Sequence, residues 1–359
     1  MRQTSALFFY ALLFTGCAAT APVTFNSPAA VSGSPVDDKS EPLPDMTAFS
    51  LIYTDGGATP ARTMTVDQAA DILSGFDVIF IGEMHRHPGS HLAEMQLFRA
   101  IHERAPNVSL SMEQFERDTQ PIVNNYLAGT IGENPFIEDA RAWANYRTSY
   151  RPLVEYAKKH DLPVIAANAP EKVVRCVGLE GEAFLSRMTP DQRSWAAATL
   201  NLDAGPYRDK FMGFVQGDAA HGGDPDAVEP GESKPPSEGA LRSYAAQVTR
   251  DDTMAESITA HLAAQPGRKV VHLNGSFHSD SFLGTVERLE VRRPEARIAV
   301  VSPFTVIPGA EARLTDKDKQ AGTFVLLLQE LPEAYATDEE MNAAIKRQME
   351  AREKRVCEL

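Results

Sequence analysis

Short apolar runs of strand length alternate with stretches of helical periodicity along most of this chain, and no other feature constrains the fold as much. The first run covers residues 77–82 and ends in glycine, as buried strands often do. A helical pattern follows over 91–104. Further strands are predicted at 108–112, 162–168, 269–273, 297–301 and 324–328, and further helices at 120–128, 150–160, 207–216, 241–264 and 338–355. Strands separated by helices pair in parallel, so the pattern predicts a single α/β domain with a mainly parallel sheet flanked by helices.

The charge balance restricts the partners of this domain. Asp and Glu outnumber Lys and Arg by 49 to 35, which gives a net charge of −14. Nucleic acid is excluded as a partner, because phosphate binding requires clustered Lys and Arg. A small anionic ligand remains compatible with the sequence, since a local arginine or a helix N-terminus can act against the overall field.

The N-terminus predicts attachment to a membrane. Residues 1–16 have the pattern of a lipoprotein signal peptide, with Arg2 before an apolar run that is too short to span a bilayer. Thr15 and Gly16 then precede Cys17, the predicted lipidation site, although Phe14 stands where leucine is usual. The alternative is an ordinary secretory signal with an incidental cysteine. Ala18, rather than aspartate, follows Cys17, which favours the outer membrane of the cell envelope.

Three further segments complete the predicted organisation. Residues 17–46 are rich in Ala, Pro, Ser and Thr and predict a flexible tether, so the domain is expected at 47–359. Within the domain, residues 217–239 form an acidic loop that is rich in Pro and Gly. Cys176 and Cys357 either pair in an oxidising compartment or remain two free thiols, and the sequence leaves both possibilities open.

Polar side chains that could bind a metal or transfer protons follow three of the predicted strands. They are Glu83 and His85, Glu113, and His278. The carboxyl ends of parallel strands share one edge, so these four residues are expected to converge there, as a divalent-metal site or an acid–base set. Taken singly, each residue is more simply a hydrogen-bonded loop residue or a helix cap.

Several motifs of known enzyme classes are missing from the sequence, which argues against those classes. The histidine spacing lacks the glutamate of a zincin helix, and the chain has no nucleophile elbow, Walker A loop or dinucleotide fingerprint. In the predicted helix 241–264, Arg250 or Asp251 is expected to face the site. Asp252 is expected on the solvated face.

Several sequence blocks, in one order over roughly residues 70–303, resemble the ChaN-like haem-binding lipoproteins. The blocks are VIFIGEMHRHPGSHLAEMQLFRAI, LSMEQFERDTQPIVNNYLAG, Trp143-Ala144-Asn145-Tyr146 continuing to YRPLVEYAKKHDLPVIAANAP, and HLNGSFHSD. This resemblance implies haem binding in bacterial haem or iron uptake, with a tyrosine as iron ligand and a homodimer that stacks two haems. It implies as partners haem, the membrane through the lipid anchor, and components of an uptake system.

The resemblance also implies particular haem-binding residues. Tyr150 is the first choice for the iron ligand and Tyr146 the second, because tyrosinate is an established ligand of ferric haem. Arg151 or Arg147 would pair with a propionate or lower the pKa of the phenol. His221, in the acidic loop, would close over the haem. The alternative is that both tyrosines are packing residues with solvated hydroxyls.

A second function stays open. The GE-x-H and GSFH elements also resemble a wider superfamily of erythromycin esterases and Tiki-type proteases, in which strand-end histidines and glutamates carry out hydrolysis. The alternative to a haem-binding lipoprotein is therefore a metal-dependent hydrolase that uses Glu83, His85, Glu113 and His278. Whether the chain is an enzyme is not decided by the sequence.

Overall fold

A computed structural model describes residues 39–216, 235–353 and 356–359, and the predicted signal peptide, Cys17 and His221 lie outside them. The strands in the described part are β1 (Lys39–Ser40), β2 (Phe49–Tyr53), β3 (Arg62–Met64), β4 (Val78–Glu83), β5 (Val108–Glu116), β6 (Val164–Asn168), β7 (Lys269–Gly275), β8 (Ile298–Val306), β9 (Ala312–Arg313) and β10 (Phe324–Gln329). The α-helices there are α1 (Val66–Leu73), α2 (Pro88–Arg104), α3 (Gln120–Leu127), α4 (Glu133–Asp139), α5 (Arg151–Lys159), α6 (Glu171–Glu180), α7 (Pro190–Arg193), α8 (Pro206–Gln216), α9 (Glu238–Ala264), α10 (Thr285–Arg292), α11 (Asp316–Gln320) and α12 (Asp338–Glu353).

Eight of these strands form one sheet in the order β3–β2–β10–β8–β4–β7–β5–β6. All pairings from β10 to β6 are parallel. At the other end, β2 pairs antiparallel with β10 and with β3. The prediction of a mainly parallel sheet flanked by helices is therefore confirmed, with two antiparallel strands at one end of the sheet that the sequence pattern did not indicate.

The central strand β4 is buried along its whole length between β7 and β8. Its side chains alternate between the two faces of the sheet. Val78 and Phe80 pack with Met254 of α9 and Leu289 of α10. Residues Ile79 and Ile81 point to the opposite face, where α2 contacts the sheet. Helices on both faces explain why this strand is apolar without interruption.

The folded part begins before residue 47, where the tether was expected to end. β1 pairs antiparallel with β9, and Leu43 is buried in a core cluster with Ile52 and Val325. Burial of Leu43 therefore anchors this proline-rich segment to the domain. Within the described residues, no helix is long and apolar enough to cross a bilayer.

A disulfide joins Cys176 of α6 to Cys357, which follows α12. It decides between the two possibilities that the sequence left open. Cys176 lies in an apolar cluster with Val173, Val177 and Phe184, and Cys357 packs against that cluster. The bond fixes the C-terminal residues to the domain.

Candidate functional site

The predicted strand-end residues meet because β4, β7 and β5 are neighbours in the sheet and run in the same direction. Glu83 is the last residue of β4, Glu113 lies in β5, and His278 ends the short 3₁₀ turn after β7. His85 Nδ1 lies 2.5 Å from Glu83 Oε1, and His278 Nε2 lies 3.5 Å from Glu113 Oε1. The backbone N–H of Gly275 donates to Glu113 Oε2 at 2.7 Å. The sheet edge therefore brings all four residues together.

Gly275 allows His85 to lie directly against β7. A Cβ atom at position 275 would be 2.6 Å from His85 Nε2, closer than any side chain permits. The imidazole therefore extends from the end of β4 across the end of β7. Its side chain is 47% exposed, so it is accessible to a ligand.

Glu83 is the buried centre of a polar cluster. Its Oε1 atom accepts hydrogen bonds from Tyr150 Oη at 2.7 Å and from Gln114 Nε2 at 3.3 Å, besides its contact with His85. Burial raises the pKa of Glu83, but the hydrogen bond from His85 and the charges of His91 and His85 outweigh it and hold that pKa at about 2. The carboxylate is therefore ionised at neutral pH and acts as a hydrogen-bond acceptor.

Tyr150 belongs to this same cluster. It ends a π-helical turn, Tyr146–Tyr150, and its side chain is 0% exposed. The rings of His91 and Trp143 lie edge-on to it, with centroids at 5.0 and 6.0 Å. Burial and the charge of Glu83 raise the pKa of Tyr150 above its ordinary value, so the phenol is protonated. The sequence treated the tyrosines and the strand-end residues as separate candidate sites, but Tyr150 and Glu83 are in direct contact.

The other predicted haem residues lie elsewhere. Tyr146 is buried against Phe115 and Phe136, and its hydroxyl has no hydrogen-bond partner among the described residues. The guanidinium of Arg151 donates two hydrogen bonds to Glu133, at 2.5 and 2.9 Å. The remaining flanking arginine, Arg147, donates to Asn134. Both arginines are thus bound to partners other than the phenol of Tyr150.

A second buried carboxylate orients His278. Asp251 Oδ1 lies 2.7 Å from His278 Nδ1, and Asp251 also accepts hydrogen bonds from Tyr207 and Thr285. Burial lowers the pKa of His278, but the charges of Asp251 and Glu113 outweigh it and raise that pKa above its usual value. The imidazole is held between two carboxylates, which favours its protonated form.

The neighbours of Asp251 on α9 differ from the expectation in one respect. Asp252 was expected on a solvated helix face, and this is wrong: it is 1% exposed and forms ion pairs with Arg288 and Arg292 of α10. The helix pattern did not show that α10 covers this face. Arg250 forms an ion pair with Glu171 at the margin of the site.

A cleft of about 460 Å³ opens beside the Glu113–His278 pair. Its volume lies within the range of small-molecule sites. The residues that line it are Glu113, Glu116, Arg141, Trp143, Asn168, Glu171, Gln247, Arg250 and His278. Two imidazoles, each oriented by a carboxylate, can supply nitrogen ligands or exchange protons near neutral pH.

Three residues of the site were missed from the sequence. Trp143 lies edge-on to His85 with a centroid distance of 5.2 Å, and His91 and Glu94 lie next to Glu83. A usable signal existed for two of them, because positions 91 and 94 are three apart in a helix and share one face. For Trp143, the only signal in the sequence was its place in a block that resembles the ChaN-like proteins.

The fold and the polar edge define an α/β domain with a candidate ligand site at the carboxyl ends of its strands. The chain belongs to the family described as haem-binding uptake, Tiki superfamily, ChaN, whose match covers residues 69–289, more than half of the sequence.

The solved structure of ChaN from Campylobacter jejuni, described as showing cofacial haem binding, has the same fold. It is 15% identical, the match covers 80% of this chain and all of that one, and the TM-score is 0.57. A mutant of the erythromycin esterase EreC in its open conformation is 12% identical over 74% of this chain and 82% of that chain, with a TM-score of 0.42.

A plant sequence also matches part of the chain. Protein RETICULATA-RELATED 5, chloroplastic, of Arabidopsis thaliana is 27% identical over 116 residues, which are 30% of this chain. The match spans only 16% of the plant protein's length.

Proposed function

We propose that this chain binds haem at the strand-edge site, as a lipid-anchored protein of the cell envelope that serves haem or iron uptake. Membership of a haem-binding family supports the choice of ligand. The observation that carries the proposal is that Glu83 Oε1 contacts both the phenol of Tyr150 and the imidazole of His85. Phenolate and imidazole are both established protein ligands of haem iron.

Tyr150 is the proposed iron ligand. A phenolate oxygen is a hard anionic donor and favours ferric iron, but the phenol is protonated in the ligand-free protein. Iron binding would displace this proton to solvent, because Glu83, whose Oε1 accepts the phenol hydrogen bond at 2.7 Å, has a pKa of about 2 and would not retain it. Access to Tyr150 requires displacement of Trp143 or of the half-exposed His85. We expect His85 to contact the bound haem.

The propionates of haem require cations. Arg141 and Arg250 line the cleft and are the proposed partners, since Arg151 is engaged with Glu133. Both pair with carboxylates in the ligand-free protein, so propionates would compete with Glu116 and Glu171. His221 lies outside the described residues and can be tested by substitution alone.

A haemin titration of the full-length chain tests the ligand assignment. We expect a saturable change in the Soret band for the wild type and at least a tenfold loss of affinity for Tyr150→Phe, which removes the oxygen ligand. Tyr146→Phe is the matched control, because its ring lies in an apolar cluster, with centroid distances of 6.2 Å to Phe115 and 5.5 Å to Phe136. Loss of affinity in His85→Ala but not in Tyr150→Phe would move the ligand to His85. Absence of saturable binding by the wild type would refute the proposed function.

Attachment to the membrane is proposed through Cys17, and a homodimer through stacked haems. Cys17→Ser is expected to move the protein from the membrane fraction to the soluble fraction and to abolish labelling with a radioactive fatty acid. Haemin is expected to double the mass measured by sedimentation, in keeping with the cofacial haem binding described for the C. jejuni protein. Retention of Cys17→Ser in membranes would contradict the lipid anchor. An unchanged mass with haemin would contradict the homodimer.

A metal-dependent hydrolase is the second candidate function. The observation that favours it is the pair of carboxylate-oriented imidazoles, His85 on Glu83 and His278 on Asp251, beside Glu113. A haem carrier has no need for the second of these pairs. We expect hydrolysis of a panel of ester and peptide substrates to be lost in His278→Ala while haem affinity is kept. Equal hydrolysis by the variant and the wild type would exclude this candidate.

A further inference from the structure

Beneath the exposed edge of the site, two residues of α2 face the carboxylate of Glu83 from the interior. His91 Nδ1 lies 3.4 Å from Glu83 Oε2 and 3.0 Å from Glu94 Oε2. We propose that Glu83, His91 and Glu94 form a buried site for a divalent transition-metal ion, which shares Glu83 with the haem-binding edge and does not include the Glu113–His278 pair.

The spacing of the donor atoms fits a cation. One ligand atom from each residue can be chosen so that all three lie within 4.8 Å of one another. Two ligands bound at about 2.1 Å to a tetrahedral ion are separated by roughly 3.4 Å. The two measured separations from His91 Nδ1 are therefore close to those of a filled site, and small side-chain movements would complete it.

Two buried carboxylate oxygens of this cluster lack a partner. Glu83 Oε2 and Glu94 Oε1 have no hydrogen-bond partner among the described residues. Glu83 and Glu94 are almost completely buried, and His91 is 8% exposed. Buried polar atoms are normally hydrogen-bonded, so two unsatisfied carboxylate oxygens in one cluster call for a positively charged partner. A bound cation would be that partner.

The charge of the cluster leads to the same conclusion. The ionisable groups that act on Glu83 are His85, His91 and Glu94, and the one that acts on Glu94 is Glu83. Two ionised carboxylates side by side in the interior are unfavourable. Without a cation the pair has to hold a proton, because both side chains are almost completely buried. A divalent ion would replace that proton and neutralise both carboxylates.

The donor types select the class of ion. One imidazole nitrogen with two carboxylate oxygens suits Zn²⁺, Mn²⁺ or Fe²⁺, whereas Ca²⁺ and Mg²⁺ favour sites made of oxygen alone. The three residues leave coordination positions free for water. Mn²⁺ and Zn²⁺, added as simple salts, are the appropriate probes.

Metal binding is measured on the haem-free, full-length chain, so the result does not depend on the proposed haem function. After chelation and dialysis, we expect one equivalent of Mn²⁺ or Zn²⁺ by mass spectrometry of the bound metal and by calorimetric titration. Glu94→Gln keeps the size and shape of the acid and removes its charge, so it is expected to fold normally. It should reduce metal affinity at least tenfold.

Glu113→Gln is the matched control, because it alters the other carboxylate–histidine pair of the edge and leaves α2 unchanged. We expect it to keep the bound equivalent of metal, and we expect metal to raise the melting temperature of the wild type but not of Glu94→Gln. Loss of metal in Glu113→Gln with retention in Glu94→Gln would overturn the assignment. A wild type without stoichiometric metal would also overturn it. If Glu94→Gln then melts at the same temperature as the wild type, the two carboxyl groups share a proton instead.

Discussion

Glu83 ends the central strand β4, and its two carboxylate oxygens face two different groups of side chains. Oε1 meets Tyr150, Gln114 and His85, whereas Oε2 faces His91. A single buried charge therefore orients both a phenol and an exposed imidazole. This arrangement explains why an acidic residue is kept at the end of a strand that is otherwise wholly apolar.

A second buried side chain, His272 on β7, gives a prediction at the same scale. Burial and the charge of His278 lower the pKa of His272 to about 3. Below about pH 6.5 the unfolded chain holds a proton that the native imidazole does not, so the native state loses stability as the pH falls from 6.5 towards 3. The contribution is at most about 1.4 kcal/mol for each pH unit.

The test is urea unfolding of the wild type and His272→Asn at pH 7.5, 5.5 and 4.5. The variant loses volume and is expected to be less stable at pH 7.5, but its free energy of unfolding should fall less steeply with acid. Asparagine can still pair with Ser111, the hydrogen-bond partner of His272 Nδ1. Parallel pH profiles for the two proteins would show that His272 does not remain neutral in the native state.

Between elements, the packing of α9 against α10 depends on a buried ion pair. Asp252 accepts hydrogen bonds from Arg292 at 2.8 Å and from the backbone of Asn201, and it neutralises Arg288, which is also buried. Asp252→Asn would leave Arg288 and Arg292 without this charge. We expect a loss of about 3 kcal/mol in the free energy of unfolding, measured by denaturant titration.

An exposed ion pair provides the control for Asp252→Asn. Glu180 and Arg187 pair at the surface, so Glu180→Gln is expected to cost less than about 1 kcal/mol. Similar losses for the two variants would mean that the buried pair contributes no more than a surface pair.

The strands of the sheet could be predicted where they are buried on both faces. Uninterrupted apolar runs indicated β4 to β8 and β10, because a short run that is apolar throughout is typical of a strand covered by helices on both sides. β2 and β3 were missed; they pair antiparallel at one end of the sheet, with β3 as the edge strand. Their pattern carries neither helical nor clear strand periodicity.

The convergence of the site could be predicted only in part. That Glu83, Glu113 and His278 share one edge follows from parallel pairing. The insertion of β7 between β4 and β5 cannot be derived from local sequence, since it joins segments far apart in the chain. The same limit applies to Tyr150, whose contact with Glu83 depends on a π-helical turn that no local pattern announced.

For the molecule as a whole, the disulfide is the strongest link between distant parts of the chain. Cys176 and Cys357 are separated by 181 positions, so the bond removes much of the freedom of the unfolded chain. Cys357→Ser is expected to lower the free energy of unfolding by roughly 2–5 kcal/mol. Reductant should lower the wild type to the level of the variant and leave the variant unchanged. An equal effect of reductant on both proteins would show that the bond does not contribute.

The location of the haem is tested most directly by a crystal structure of the haem-loaded protein. The proposed function predicts the porphyrin in the strand-edge cleft beside Trp143, with iron bound to the phenolate oxygen of Tyr150. It also predicts that Glu83 no longer accepts a hydrogen bond from that phenol, whose proton the iron has displaced. A porphyrin bound away from this edge, with Tyr150 still donating to Glu83, would contradict the assignment of the site.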